Sequence, residues 1–401
     1  MINMKISAPL YLSAREAAGE LGVSTATLYA YVSRGLVRSE PTEDVRARRY
    51  RADDVRALKN RRAPPAAARA GEGDGAAIVE SAVSTITPDG PVYRGVGAVG
   101  LSGEATLEQA ATLLWDASRS DPFAAGNLPV VGPAMRAVAA ATAGETPLAR
   151  AIAVLSLAGD ADPGAFGRTP EGRALVGARV MRLVAAAILG REPSAEPLHR
   201  QVAAAWAPAD PRAPDLLRRA LVLLADHELN ASTFAVRVAA STGINPYDAA
   251  IAGLVALKGP RHGGAGPLAA RMVSALAAGD VAAGLRERIA LGEAIPGFGH
   301  LVYEEGDPRA EALLAALAAA GAERRFVDEA PALVAEATGL RANIDFALAV
   351  LSRTLALPQG SEIALFAVAR SAGWLAHAFE QLAAGTLVRP RARYVGPAPR
   401  R

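Results

Sequence analysis

Leu257-Lys258-Gly259-Pro260-Arg261-His262-Gly263-Gly264-Ala265-Gly266 sets one histidine among glycines at the end of an apolar run, Ala250 to Leu257. Glycine permits left-handed dihedrals and lets backbone N–H groups approach a ligand, so this imidazole is placed by main chain and can face a cavity. Alone, the stretch reads equally well as a Gly-rich surface turn. The chain on either side decides between the two.

Toward the N-terminus, the apolar spacing is helical almost throughout from Leu107. It predicts helices over Leu107 to Trp115, Ala134 to Ala143, Pro147 to Leu157, Glu171 to Leu189, Pro197 to Ala205 and Pro214 to His227, with breaks at Gly and Pro. Hydrophobic residues make up 51% of the 401 and aromatics only 5%, which favours closely packed helices over a β-sandwich. The expected class is mainly α, and the length implies more than one domain. No period of twenty to fifty residues repeats, which argues against a solenoid.

The chain has no cysteine, which excludes a disulfide framework, a thiolate metal site and a thiol nucleophile. Met1 to Pro9 lacks a long apolar core and no apolar run is long enough to span a bilayer, so the expected location is the cytoplasm, with no membrane partner. Net charge is only +3, so attraction to nucleic acid cannot be a property of the whole surface.

Charge is concentrated near the start. Ser13 with Glu16 forms a capping box for a helix through Leu21, and Ser24 opens a second from Thr25 to Val32. That is helix-turn-helix spacing, with Ser24, Thr25, Thr27 and Tyr31 on or near the groove-facing side. A hairpin-like segment follows, carrying Arg46, Arg48, Arg49 and Arg51 around Tyr50, and then a third helix opened by Asp53 and Asp54. Such a cluster suits phosphate contacts, although the same module can serve only to hold partner subunits. The run from Tyr11 to Val37 followed by Arg48 to Val55 resembles winged-helix DNA-binding modules of the MerR and excisionase type. The expected organisation is a helix-turn-helix domain over 1–62, a Pro-, Ala- and Gly-rich linker over 63–78, and a helical body over 79–401 that begins with a small β-hairpin.

Three of the five histidines have unusual neighbours. His227 lies in Asp226-His227-Glu228-Leu229-Asn230-Ala231-Ser232-Thr233, a polar patch between apolar runs that costs desolvation unless it meets partners or a ligand. His300 closes Ile295-Pro296-Gly297-Phe298-Gly299-His300, ahead of Asp307-Pro308-Arg309. Asp345, in Asn343-Ile344-Asp345-Phe346, reads most simply as the N-terminal cap of a helix from Phe346 to Leu355.

These motifs, with Phe366 to His377 and Arg389 to Gly396, occur in the order seen in citrate synthases, a resemblance that runs from about residue 80 to the C-terminus. It implies an α-helical homodimer in which a small mobile subdomain, about 265–372, closes over oxaloacetate and acetyl-CoA, the latter a co-substrate, with no permanently bound cofactor and no metal. On that pattern Asp345 removes a proton from the acetyl methyl, His262 donates to the thioester oxygen and His300 polarises the ketone. His227, Arg309 and Arg370 bind the carboxylates of oxaloacetate, and Arg389 reaches in from the partner subunit.

The chemistry needs these types. A methyl beside a thioester is a very weak acid, so its base must be paired with a donor aimed at the oxygen that becomes negative, and bidentate arginines fix the second substrate. The sequence departs from the family pattern at Leu301, Glu304 and Gly266. Glu304 with Glu305 repels a polyphosphate where the family often carries basic residues. Two further functions are compatible with the sequence: a 2-methylcitrate synthase using propionyl-CoA, and a DNA-binding regulator whose body senses a tricarboxylate or an acyl-CoA.

Overall fold

The computed structural model describes residues 11–21, 23–33, 36–42, 48–52, 54–55, 80–119, 121–391 and 396, and the chain divides into two compact units, 1–78 and 79–401. The expected linker, Arg46 and Asp53 lie outside the described residues.

In the first unit the capping box forms as its spacing predicts. Glu16 N donates to Ser13 Oγ at 3.3 Å and Ser13 N to the Glu16 carboxylate at 2.8 Å, opening the helix Ala14–Leu21. Ser24 Oγ accepts from Thr27 N at 3.2 Å at the start of the helix Thr25–Ser33. Strands β1 (Tyr11–Ser13), β2 (Ser39–Pro41) and β3 (Arg48–Arg51) form an antiparallel sheet with β3 in the middle, Tyr50 pairing with Leu12 on one side and Ser39 on the other. Side chains alternate across a strand, so Tyr50 enters a core with Leu12, Ala17, Leu28 and Val37 while Arg49 faces out. Ser24, Thr25, Arg48 and Arg49 are exposed and Thr27, Tyr31 and Arg51 are half-buried. Arg49 is paired with Glu40 at 3.0 Å and lies 4.3 Å over the Tyr11 ring.

The second unit opens with the expected hairpin, β4 (Ser84–Thr87) and β5 (Gly90–Tyr93), extended by β6 (Val96–Gly97), and is otherwise helical. Two helices, Pro170–Leu189 and Ser361–Ala384, are buried over most of their length, so apolar side chains occur on several faces and the polar ones among them, such as Arg182 and Arg370, are buried too. A helix backbone packs directly on an indole at glycine: a Cβ at Gly253 would sit 2.5 Å from the Trp374 ring, so the helix Pro246–Leu257 lies against Ser361–Ala384 in this way only with glycine there.

One predicted boundary is corrected. The helix expected to run to His227 ends at Leu224. Tyr93 Oη donates to Val222 O at 3.0 Å and accepts from Asp226 N at 3.2 Å, a long-range tie that takes the chain out of the helix before the histidine. Beyond that point the helices Ala231–Ala240, Pro246–Leu257, Ala265–Ala277, Val281–Ala290, Pro308–Ala319, Ala330–Thr338 and Ile344–Thr354, with a π-helical turn at Arg325–Glu329, carry the chain to the long final helix.

Candidate active site

His227 sits in the loop released at Leu224, which is locally strained: Glu228 adopts φ +53, a left-handed conformation for a side chain with a Cβ. Fully buried Asp226 holds the loop by accepting from Ser84 Oγ, from Glu228 N at 3.2 Å and from His377 Nε2 at 3.3 Å. Burial, then Arg309 and Arg370 nearby, keep the His227 imidazole well below its ordinary pKa, so the ring is neutral. Its Nε2 lies 3.2 Å from Tyr303 Oη.

His262 follows the end of the Pro246–Leu257 helix, its N–H bonded to Gly259 O at 3.0 Å. Its Nε2 is 2.7 Å from Ser232 Oγ. That hydroxyl accepts from Trp374 Nε1 at 3.1 Å and has one proton for two acceptors, His262 Nε2 and, at 3.0 Å, Asn230 Oδ1. When the proton goes to the closer acceptor, Nδ1 carries the ring hydrogen and becomes a donor. Burial first, then Arg370, bring the pKa of His262 down to about 4.

His300 and Asp345 are far apart in sequence but tied by backbone. Phe298 bridges Ala342, Gly299 N donates to Arg341 O at 2.8 Å, and Asn343 N donates to Gly297 O at 2.9 Å. Gly297 (φ +88) and Gly299 (φ +81) supply the turns this requires, and a Cβ on Gly297 would strike Phe346 at 2.7 Å. Val302 N and Tyr303 N donate to His300 Nδ1 at 3.0 and 3.3 Å, so the hydrogen of the neutral ring is on Nε2. Burial and Arg309 lower the pKa of His300.

Asn343, not Asp345, caps the helix Ile344–Thr354: its side chain accepts from Asp345 N at 3.0 Å. Asp345 is thereby free of the role first expected of it. Desolvation raises its carboxyl to about 6, the usual way a fold makes an aspartate basic. Asp307 grips the same helix start and an arginine together, accepting from Ile344 N at 3.0 Å and from Arg309 Nε and Nη2 at 2.9 and 2.8 Å.

Arg370 is fully buried. Its Nε donates to Leu224 O at 2.8 Å and its guanidinium lies 4.5 Å over Phe366, yet Nη1 and Nη2 have no hydrogen-bond partner among the described residues. Burial pulls its pKa down to about 10.

The structure links His227 to His300 and Tyr303 by ring contacts and His262 to Phe366 beneath Arg370, and it places Arg309 Nη2 3.5 Å from His300 Nε2, a proximity of two donors that leaves room for a shared acceptor. Arg389 lies in the exposed stretch after the final helix, with none of these contacts. Tyr303, Asp307 as an anchor and Ser232 carry no mark of their role in the apolar sequence pattern alone. The first two sit within seven residues of His300, and Asp-Pro-Arg is the pattern of a carboxylate that caps a helix while holding its second residue.

A family profile for the citrate synthase C-terminal domain matches residues 73–391, and one for MerR HTH family regulatory proteins matches residues 12–63. The chain is 38% identical over 190 residues to citrate synthase 2 of Bacillus subtilis, covering 46% of this chain and 51% of that protein. It is 38% identical over 187 residues to a 2-methylcitrate synthase of Mycobacterium tuberculosis, covering 44% and 47%. The chain thus spans about half the length of the curated relatives it matches. Among solved structures, citrate synthase from Thermotoga maritima superposes with a TM-score of 0.67 at 25% identity, covering 82% of this chain and 97% of that one. The same score and identity hold for citrate synthase from Thermoplasma acidophilum in a ternary complex with carboxymethyl coenzyme A and oxaloacetate, covering 83% and 97%.

Proposed function

The chain belongs to the citrate synthase family, and from that premise we propose that it joins the methyl carbon of acetyl-CoA to the ketone of oxaloacetate, giving citrate and free coenzyme A. The observation that carries this reading is Arg370: a buried cation with two unpartnered donors is costly unless an anion fills the place, and a carboxylate of oxaloacetate matches it bidentately. Arg309, held by Asp307, and the neutral His227 take the other carboxylate.

Asp345 withdraws a proton from the methyl group while His262 Nδ1–H donates to the thioester oxygen as it becomes an enolate. The new nucleophile attacks the ketone carbon, and the ketone oxygen takes the proton of His300 Nε2. Water then cleaves the thioester and releases the thiol. Propionyl-CoA would react in the same way to give 2-methylcitrate, and the named relatives include both kinds of synthase. Thiol release from acetyl-CoA and propionyl-CoA with oxaloacetate tests the proposal. Asp345→Asn should lower kcat by about 10²- to 10⁴-fold, and wild-type protein that releases no thiol from either thioester would sink it.

A homodimer is part of this reading. Phe234 and Val238, four residues apart on the helix Ala231–Ala240, are each 37% exposed, and Val255 on the helix packed against it is 55% exposed, apolar surface that a second copy could cover. Exposed Arg389 supports a role in the partner's site rather than its own.

A second role, as a DNA-binding regulator that senses a tricarboxylate or an acyl-CoA, is favoured by the MerR-type match and by exposed Ser24, Thr25 and Arg48. Binding to a promoter fragment should weaken with salt and with Arg48→Ala; affinity indifferent to both would remove that role.

A further inference from the structure

Glu362, in the first turn of the Ser361–Ala384 helix, has no part in the chemistry above. It is 3% exposed and its Oε2 is buried without a hydrogen-bond partner among the described residues. A helix dipole favours an acid in the first turn, but that gain does not require burial, and an orphaned acceptor away from water is costly. Its position connects it with the substrates. Glu362, Phe366 and Arg370 recur every four residues and form one stripe of the helix, about 12 Å long at 1.5 Å per residue. At one end Arg370 has its unpartnered nitrogens; in the middle Phe366 lies against the His262 ring at 5.9 Å.

The other end meets the proposed base. A Cβ on Gly266 would lie 3.1 Å from Glu362 Cβ and 3.5 Å from Asp345 Oδ1, so Glu362 and the base flank a single glycine. The stripe therefore runs from the oxo-acid end of the site to the end where the acyl carbon is deprotonated.

We propose that Glu362 is a specificity-determining residue, accepting a hydrogen bond from a donor that the acyl thioester carries close to its reacting carbon. This rests on the acyl-thioester reading above. Two parts of such a substrate offer the donor: a hydroxyl on the acyl group, or the first amide of the carrier arm. A site built around a buried acceptor discriminates against an analogue that leaves it unpaired, whereas an added methylene in an apolar site changes little.

The experiment uses the full chain with oxaloacetate and reads both thiol release and the thermal upshift each thioester produces. Glycolyl-CoA and propionyl-CoA differ by a hydroxyl in place of a methyl. If the acyl group supplies the donor, wild type favours glycolyl-CoA by about tenfold or more in kcat/KM, Glu362→Gln keeps most of the preference and Glu362→Leu loses it. If the carrier arm supplies it, Glu362→Leu raises KM about tenfold for acetyl-CoA and for the acetyl thioester of N-acetylcysteamine, but leaves ethyl thioacetate, which has no amide, unaffected. A folded Glu362→Leu protein that alters neither comparison overturns the proposal. Absence of turnover in wild type would instead strike the catalytic reading, and the upshifts would still report on Glu362.

Discussion

Asp345 is basic because it is buried, and the same fact sets a cost on the fold. Its carboxyl titrates at about 6 in the folded chain against an ordinary value of 3.8. A raised acid pKa means that the folded state binds the proton more tightly than the unfolded one, so ionisation at pH 7 opposes folding by about 3 kcal/mol and the penalty fades as pH falls from 6 toward 4. Two outcomes follow for Asp345→Asn. It should lose turnover and gain thermal stability at pH 7, with the gain shrinking as the pH drops toward 4. In wild type, kcat/KM should fall on the acid side with its limb near pH 6, where Asp345 takes up its proton, since His262 is already down at about 4 and burial lowers His300 as well. A variant no more stable than wild type at neutral pH, or an acid limb unmoved from the ordinary aspartate range, would contradict the assignment of Asp345.

At the level of elements, helices were readable where the apolar period was long and ended at Gly or Pro, as at Pro170–Leu189, where the expected start was one residue late. Ends set by distant partners were not. The helix before His227 stops early because Tyr93, more than a hundred residues upstream, takes its last turn. Likewise Asn343 and Asp345 are both good caps by type, and tertiary ties around Asn343, among them its N–H on Gly297 O and the bridge between Phe298 and Ala342, accompany its choice as the cap and the release of Asp345. The site residues could be named from ordered motifs, yet their convergence depends on tertiary ties that no local pattern contains. Glu362 was hidden for the same reason: in sequence it is an unremarkable first-turn acid, and its interest arises only from burial beside Gly266 and Asp345. Tyr303 was missed because an aromatic in a polar loop has no periodicity to mark it, although its hydroxyl meets His227.

At the level of the whole molecule, the proposed reaction makes a prediction about which chain's site Arg389 serves. Arg309 and Arg370 are buried within the subunit, whereas Arg389 follows the final helix and is exposed, as are the apolar side chains of Phe234, Val238 and Val255. If Arg389 acts across a two-fold interface, each site is built from both chains, and two inactive chains can repair one another. Mixing Arg389→Ala with Asp345→Asn subunits under conditions that exchange partners then makes dimers in which one site has both an intact Asp345 from its own chain and an intact Arg389 from the other. Half the dimers are mixed and half of their sites are whole, so thiol release should recover to about a quarter of wild type. If Arg389 served its own subunit, every site in the mixture would lack one of the two groups and nothing would be recovered. The same mixture separates the interface from the chemistry, because a chain that remained monomeric at assay concentration would also give no recovery but would be distinguished by its mass in solution.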